Sequence, residues 1–116
     1  MSIQRIAPGP RISGAVVHGD TVYLSGHVAA EPRGSVRGQM QAILARIDER
    51  LAAAGTGRAG LLSAQIWLAD IATFDEMNAV WEAWIDPANP PARATVEARL
   101  ANPAYLVEIS VIAAKL

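Results

Sequence analysis

Only two segments of this 116-residue chain have the apolar periodicity of a helix, and both lie between segments typical of β-strands. In the first, apolar side chains recur at the i, i+4, i+7, i+8 spacing of one helix face. The pattern predicts a helix over residues 35–54, ended by Gly55. Its apolar face is formed by Val36, Met40, Ile43, Leu44, Ile47 and Leu51.

The second helix is predicted to begin at Thr73-Phe-Asp-Glu76, because the Thr-x-x-Glu spacing is that of a capping box. It must end before Pro87, since the segment 86–91 holds three prolines, which remove backbone donors. The tryptophans fall at helical core spacing, so we interpret them as core rather than ligand-stacking residues. The buried face is predicted to comprise Phe74, Met77, Val80, Trp81, Trp84 and Ile85.

Five segments are predicted to be strands. Residues 15–17 and 22–24 form a hairpin, because the Gly19-Asp20 pair between them suits a tight turn. A third strand covers residues 61–69, with Leu62, Ala64, Ile66 and Leu68 on one side. The last two cover residues 94–99 and 105–113, separated by a turn at Asn102-Pro103.

The order ββαβαββ predicts one domain over residues 1–116, an α+β sandwich with two helices on one face of a mixed sheet. The strands at 15–17, 22–24 and 105–113 are apolar on both sides, yet no third helix exists to cover the second face. We therefore expect this face to bind further copies of the chain.

Composition excludes several classes of function. Cysteine is absent, which excludes disulfides, thiolate zinc sites and thiol nucleophiles. A net charge of -1 and 5% aromatic residues argue against a nucleic-acid partner. No apolar run approaches the length of a membrane span, and no signal peptide is evident, so we expect a cytoplasmic protein without a membrane partner.

Two sequence patterns resemble functional motifs without their context. Gly55-Thr-Gly57-Arg-Ala-Gly60 has the G-x-G-x-x-G spacing, but it follows a helix and precedes a strand, so we interpret it as a helix end and a loop. His18 and His27 have no neighbouring carboxylate at ligand spacing, so we expect no metal site.

An arginine and a glutamate remain as candidates for chemistry. Arg93 follows the stiff Pro90-Pro91 turn, where a rigid guanidinium fork suits a carboxylate. Glu108 lies in the middle of an apolar strand, where a carboxylate needs a partner or a pocket. An ion pair at the sheet edge, with Arg99 as one candidate partner, is an equally open interpretation of Glu108.

The sequence resembles the Rid family of imine and enamine deaminases, formerly called YjgF-type. The resemblance spans nearly the whole chain and is carried by segments in the family's order: Gly9-Pro10, Tyr23-Leu-Ser-Gly26, Phe74-Asp-Glu-Met-Asn78, Pro91-Ala-Arg93-Ala-Thr-Val-Glu97 and Val107-Glu-Ile109. It implies a chorismate-mutase-like fold and a homotrimer with a central barrel and a site in each cleft between subunits. Members of the Rid family hydrolyse intermediates such as 2-aminoacrylate to a 2-keto acid and ammonia.

The resemblance also implies roles for individual residues. Arg93 corresponds to the arginine that binds the substrate carboxylate, and Glu108 to the acid that positions or activates water. The pocket wall would include Ser25 and Gly26, and Asn78 would make either a ligand contact or a structural hydrogen bond to a loop. Thr95, in the Arg93 segment, is the last substrate-binding candidate from the family pattern. One fixed cation and one carboxylate suffice for imine hydrolysis without a cofactor.

The chain departs from the family pattern at two positions. Gly9-Pro10-Arg11 stands where the pattern has Gly-Pro-Tyr, and Gly26-His27 stands where it has Gly-Gln. Arg11 either lines the cleft as a further substrate-binding residue, which favours a larger or doubly anionic substrate, or points to solvent. A non-catalytic trimer that binds small carboxylates is therefore an alternative function, and an endoribonuclease role, a label some relatives carry, is the third.

Overall fold

The computed structural model describes residues 2–116 and contains six strands and two α-helices. Short 3-10 segments precede the fourth strand and the second helix, at Arg58–Gly60 and Ile71–Thr73. The strands and helices are β1 (Ile3–Pro8), β2 (Ser13–His18), β3 (Thr21–Leu24), α1 (Val36–Ala53), β4 (Leu61–Leu68), α2 (Phe74–Trp84), β5 (Ala92–Glu97) and β6 (Val107–Ala114).

The six strands form one mixed sheet in the order β1-β2-β3-β6-β4-β5. Among the strands of residues 2–116, only the β4–β5 pair is parallel, because α2 provides the crossover that a parallel connection needs. The predicted hairpin is confirmed as β2 and β3, which pair across a turn where Gly19 adopts a φ of 62°. The predicted α+β class and mixed sheet are therefore correct.

The predicted ββαβαββ order is wrong by one strand, since β1 precedes the hairpin. β1 is an edge strand with five of its six residues exposed, so it lacks the alternating apolar pattern that identifies a half-buried strand. β5 begins at Ala92, two residues earlier than predicted, because its pairing with β4 begins there. β6 begins at Val107 rather than Tyr105, with its predicted alternation intact.

The first helix follows the prediction closely. The Ser35 hydroxyl accepts a hydrogen bond from the N–H of Gly38 at 3.2 Å, and Gly55, with a φ of 85°, follows the last turn. The glycine string after α1 is a helix end, as its context indicated, but its last three residues form the 3-10 segment Arg58–Gly60 rather than a plain loop before β4. The buried side of α1 also includes Gln39, whose side chain bonds Ala104 and Leu106 and so fixes the segment before β6.

The predicted capping box at the start of α2 is wrong. The Thr73 hydroxyl donates to the carbonyl of Asp70 at 2.7 Å, because a 3-10 turn directly precedes the helix. The Glu76 carboxylate accepts instead from the N–H of Arg37 at 2.8 Å. Glu76 therefore satisfies a free backbone donor at the start of α1 and ties the two helices together.

Both helices cover the same face of the sheet, and the core lies between them. The covered face of β6 consists of Val107, Ile109, Val111 and Ala113, each at most 1% exposed. On β4 the prediction fails at one residue: an irregularity at the start of the strand buries Leu61 and leaves Leu62 51% exposed. Neither helix is long and apolar enough to cross a membrane among residues 2–116.

The opposite face of the sheet is covered by no helix in the described part of the chain, residues 2–116. Its central positions include Glu108 and Trp67, which are cross-strand partners, and its exposed apolar residues include Tyr23 and Val96. We call this surface the open face. The expectation of self-association is based on strands that are apolar on both sides, whereas the open face is partly polar, with Glu108 and Ser110 on β6.

A clasp of three side chains holds the end of α2 against α1. Arg58 donates to both carboxylate oxygens of Asp48, at 2.9 and 2.7 Å, and to the carbonyl of Trp84 at 2.8 Å. The Trp84 indole donates to the same carboxylate at 3.1 Å. Burial alone would raise the pKa of Asp48, but these hydrogen bonds outweigh burial and lower that pKa.

Candidate functional site

Arg93 lies on the edge strand β5, with its side chain on the helix-covered side of the sheet. Its Nη1 donates to Asn78 Oδ1 of α2 at 2.6 Å. The guanidinium carbon lies 5.7 Å from the ring centroid of Phe74 and 5.6 Å from that of Trp81. One amide and two aromatic rings therefore fix the direction of the guanidinium.

Within residues 2–116, Arg93 makes no ion pair with a carboxylate. Burial lowers the pKa of Arg93, and the nearby Glu82 opposes that effect. Arginine stays protonated under all ordinary conditions, so the consequence concerns binding rather than titration. A partly desolvated, oriented cation with unused N–H donors is suited to a planar carboxylate.

Asn78 connects Arg93 to a glutamate one helical turn along α2. Its Nδ2 donates to Glu82 Oε1 at 3.4 Å, while its Oδ1 accepts from Arg93. Both ends of the amide are thus occupied. The structural hydrogen bond considered for Asn78 exists, but its partner is Arg93 rather than a loop.

Thr95 lies two residues after Arg93, on the same side of β5. Its Oγ1 is buried and has no hydrogen-bond partner among residues 2–116. Because alternate residues of a strand share a face, Thr95 and Arg93 point in the same direction. Thr95 therefore carries an unpartnered hydroxyl on the same side of β5 as Arg93.

Glu108 and Gly26 form a second cluster, on the open face. The main chain at residue 27 pairs with Ile109, with N–H to carbonyl distances of 2.8 and 3.0 Å in the two directions. This pairing brings Gly26 against the Glu108 side chain, and a Cβ added at Gly26 would overlap Glu108 Oε2. Close approach to the carboxylate therefore requires glycine at this position.

Glu108 makes no ion pair with any residue from 2 to 116, so the interpretation of Glu108 as half of an ion pair within the subunit is wrong.

Ser25 is fixed by Gly14, whose carbonyl accepts from the Ser25 N–H at 3.2 Å and from its hydroxyl at 3.3 Å. Of the family's serine-glycine segment, Gly26 lies beside the Glu108 carboxylate, and Ser25 is bonded to Gly14.

The His27 side chain is buried at 8% exposure and does not join this cluster. Its ring nitrogen Nδ1 lies 2.7 Å from the carbonyl oxygen of Ser25. Burial lowers the pKa of His27 most, and Arg50 and Arg46 of α1 lower it further against the opposing effect of the Ser25 bond. His27 is therefore a neutral support for the Ser25-Gly26 segment.

Arg11 lies at the tip of the β1–β2 hairpin, in a turn closed by Gly9 and Ile12 at 2.7 Å. Its side chain is exposed and makes no hydrogen bond or ion pair with other described residues. The register of β2 and β3 places this tip at the same end of the sheet as Gly26 and Glu108.

The two clusters do not meet within one subunit. Arg93 pairs with Ala64, whereas Glu108 pairs with Trp67, three residues further along β4. Strand geometry separates the two positions by about 10 Å along the strands and about 10 Å across them. Their side chains also point to opposite faces, so Arg93 and Glu108 of one chain cannot contact the same small molecule.

Sequence reasoning missed three of the groups that surround Arg93. The periodicity predicts Phe74 as a core residue, but its ring centroid also lies 5.7 Å from the guanidinium carbon. Trp81 was assigned to the core, and it is 4% exposed as predicted, but its ring also lies beside the guanidinium. Glu82 received no role. The available signal was spacing, since Asn78, Trp81 and Glu82 stand at i, i+3 and i+4 and share one side of the helix.

Three comparisons place the chain among known proteins. The sequence profile of the family described as Endoribonuclease L-PSP matches residues 2–115. A RutC family protein from Haemophilus influenzae is 40% identical over 114 residues, covering 97% of this chain and 98% of that protein. The RutC family protein YoaB of Escherichia coli is also 40% identical over 114 residues, covering 98% and 99%.

Among solved structures, a YjgF-family protein from Neisseria meningitidis is 41% identical to this chain. It superposes with a TM-score of 0.97, covering all of this chain and 97% of the Neisseria chain. An uncharacterized protein from Pseudomonas aeruginosa gives a TM-score of 0.96 at 36% identity, covering 99% and 100%.

Proposed function

Since this chain belongs to the YjgF/Rid family, which is also described as the endoribonuclease L-PSP family, we propose that it hydrolyses 2-imino and 2-enamino acids to 2-keto acids and ammonia. The observation that carries the proposal is the environment of Arg93. An oriented guanidinium without a carboxylate partner fits the one charged group that all these substrates share.

In the proposed reaction, Arg93 binds the substrate carboxylate and Glu108 handles the protons. Water adds to the carbon of the protonated C=N bond while its proton passes to Glu108, forming a carbinolamine. Glu108 then returns the proton to nitrogen, the C–N bond breaks with its electron pair leaving on ammonia, and the hydroxyl proton is lost as the keto group forms. An enamine such as 2-aminoacrylate first takes a proton on its terminal carbon.

We place this site between subunits of a homotrimer. Within one chain, Arg93 and Glu108 occupy opposite faces, so a shared substrate requires Arg93 from one subunit and Glu108 from its neighbour. The open face supports this arrangement, because it is wide, partly apolar and uncovered. Light scattering at micromolar concentration should give a mass near three chains of 12.3 kDa, and a monomer would contradict the arrangement.

The activity is tested by ammonia release from imines generated in solution by an amino-acid oxidase. The protein should accelerate release from 2-iminopropanoate and 2-iminobutanoate above the rate in buffer, with no added metal or cofactor. Arg93→Ala, measured at the same concentration, should lower this acceleration about 30- to 1000-fold. An unchanged rate with the parental protein would contradict the proposal.

A non-catalytic carboxylate binder is the second candidate, favoured by the fact that Arg93 is fixed without any help from Glu108. Such a protein would bind pyruvate or 2-oxobutanoate by calorimetry and leave ammonia release unchanged. The family description also includes an endoribonuclease. A net charge of -1 supplies no electrostatic attraction for RNA, so we propose neither nucleic acid nor membrane as a partner.

A further inference from the structure

The acceptor that orients Arg93 is a neutral amide, although a carboxylate would bind a guanidinium more strongly. Asn78 Oδ1 accepts from Nη1 at 2.6 Å, which leaves the charge of Arg93 uncompensated at close range. An aspartate at the same place would form an ion pair and compete with any anionic ligand. The side-chain type at position 78 therefore determines whether the guanidinium is available.

A primary amide can flip, which exchanges the positions of its oxygen and its nitrogen, and the two orientations have opposite effects on Arg93. With Oδ1 toward Arg93 the amide accepts a hydrogen bond, whereas with Nδ2 toward Arg93 two donors would face each other. Glu82 distinguishes the orientations, because its carboxylate can only accept and lies 3.4 Å from Nδ2. Being exposed and one turn away, Glu82 fixes the amide without forming an ion pair with Arg93.

We infer that Asn78 and Glu82 are positioning residues for carboxylate binding: Glu82 orients the Asn78 amide, and the amide orients Arg93 while leaving its charge free for the substrate. Phe74 and Trp81 complete the arrangement, because the guanidinium carbon lies over both rings, 5.7 and 5.6 Å from their centroids. This inference rests on the proposed function, in which Arg93 receives the carboxylate of an imine.

The inference makes an unusual prediction for Asn78→Asp. The substitution nearly preserves shape and adds an ion pair, so the thermal midpoint should equal or exceed that of the parent. Pyruvate affinity and KM for 2-iminopropanoate should nevertheless worsen about 30-fold or more, with a much smaller change in kcat. Asn78→Ala, which removes the acceptor but adds no charge, should worsen both by only about 3- to 10-fold.

Glu82 is tested by a matched pair of variants. Glu82→Ala allows the Asn78 amide to flip and should raise KM about 3- to 10-fold. Glu82→Gln retains an acceptor for the amide, so its KM should lie close to that of the parent. Asp75→Asn is the control, since it removes one negative charge from an exposed position of the same helix without touching Arg93. The control should leave KM unchanged.

Calorimetry with pyruvate, 2-oxobutanoate and 2-oxoglutarate separates this inference from the proposed function. Ligand binding by the parental protein without ammonia release would contradict the proposed function only. Normal turnover by the parent with Asn78→Asp binding within twofold of parental affinity would contradict the inference only. If Asn78→Asp binds more tightly than Asn78→Ala, or if the parent binds none of the three acids, the inference is wrong.

Discussion

The two clusters of candidate residues are held in place by different parts of the chain. Arg93 is fixed by side chains, since an amide and two aromatic rings of α2 define its direction. Glu108 is positioned by the main chain, since the backbone pairing of residue 27 with Ile109 places Gly26 next to the Glu108 carboxylate. Substitutions of the side chains around Arg93 should therefore alter ligand affinity, whereas substitution of Gly26, beside Glu108, should alter kcat.

The largest effect is expected for Arg93→Ala. Loss of a charge-assisted, forked contact in a partly desolvated site should lower kcat/KM about 30- to 1000-fold, or about 2–4 kcal/mol. Arg93→Lys should also be strongly impaired, because it keeps the charge but loses the planar fork. Steady-state kinetics on folded protein, verified by circular dichroism, measures this loss. If Arg93→Ala turns over imines at the parental rate, Arg93 does not bind the substrate carboxylate.

The second prediction concerns Gly26→Ala, which should displace the Glu108 carboxylate and spare Arg93. We expect kcat to fall about 10- to 100-fold, within the range of general acid–base effects, while pyruvate affinity changes little. Gly57→Ala is a suitable control, since a Cβ there has no atom within 4 Å and its φ of -162° suits any residue. Equal activity of Gly26→Ala and this control would show that Glu108 needs no such support.

The third prediction concerns Arg11, which lies at the Glu108 end of the sheet and has no ion-pair partner among residues 2–116. A second cation at the site should favour a second negative charge, so the parent should prefer the imine of glutamate over that of alanine at low salt. Arg11→Tyr should shift the ratio of kcat/KM about 3- to 10-fold toward the alanine imine. The shift should shrink as salt rises. An identical ratio for both proteins would mean that Arg11 points to solvent.

The smallest effect is expected in stability, from His27. Its pKa is lowered in the folded protein, so the unfolded chain binds more protons as the pH falls below about 6.5. Its contribution to stability is therefore complete above that pH and is lost toward acid. The thermal midpoint of the parent should fall more steeply from pH 7.5 to pH 5.5 than that of His27→Gln. Asp48 does not interfere, because its lowered pKa acts only near and below pH 4. Parallel midpoints would exclude His27 as the group responsible.

The sequence by itself determined the helices and the α+β class, because periodicity and caps are local signals. Residues 35–54 predicted α1 to within one residue at each end, since apolar spacing, Ser35 and Gly55 all act within a few residues. β1 escaped prediction because an exposed edge strand has no alternation to detect. The capping box failed for a related reason: Glu76 satisfies a donor of α1, a partner 39 residues away.

For the candidate site, too, local signals identified the residues and long-range contacts determined how they are arranged. Residue types and spacing, together with the family resemblance, selected Arg93, Glu108, Gly26 and Asn78 without the structure. Only the tertiary structure decided how they group, because sheet register places Arg93 and Glu108 on opposite faces and separate strands. The hydrogen bond from Arg93 to Asn78 and the close approach of Gly26 to Glu108 likewise join residues far apart in the chain. Such contacts depend on strand pairing and helix packing, which no local pattern specifies.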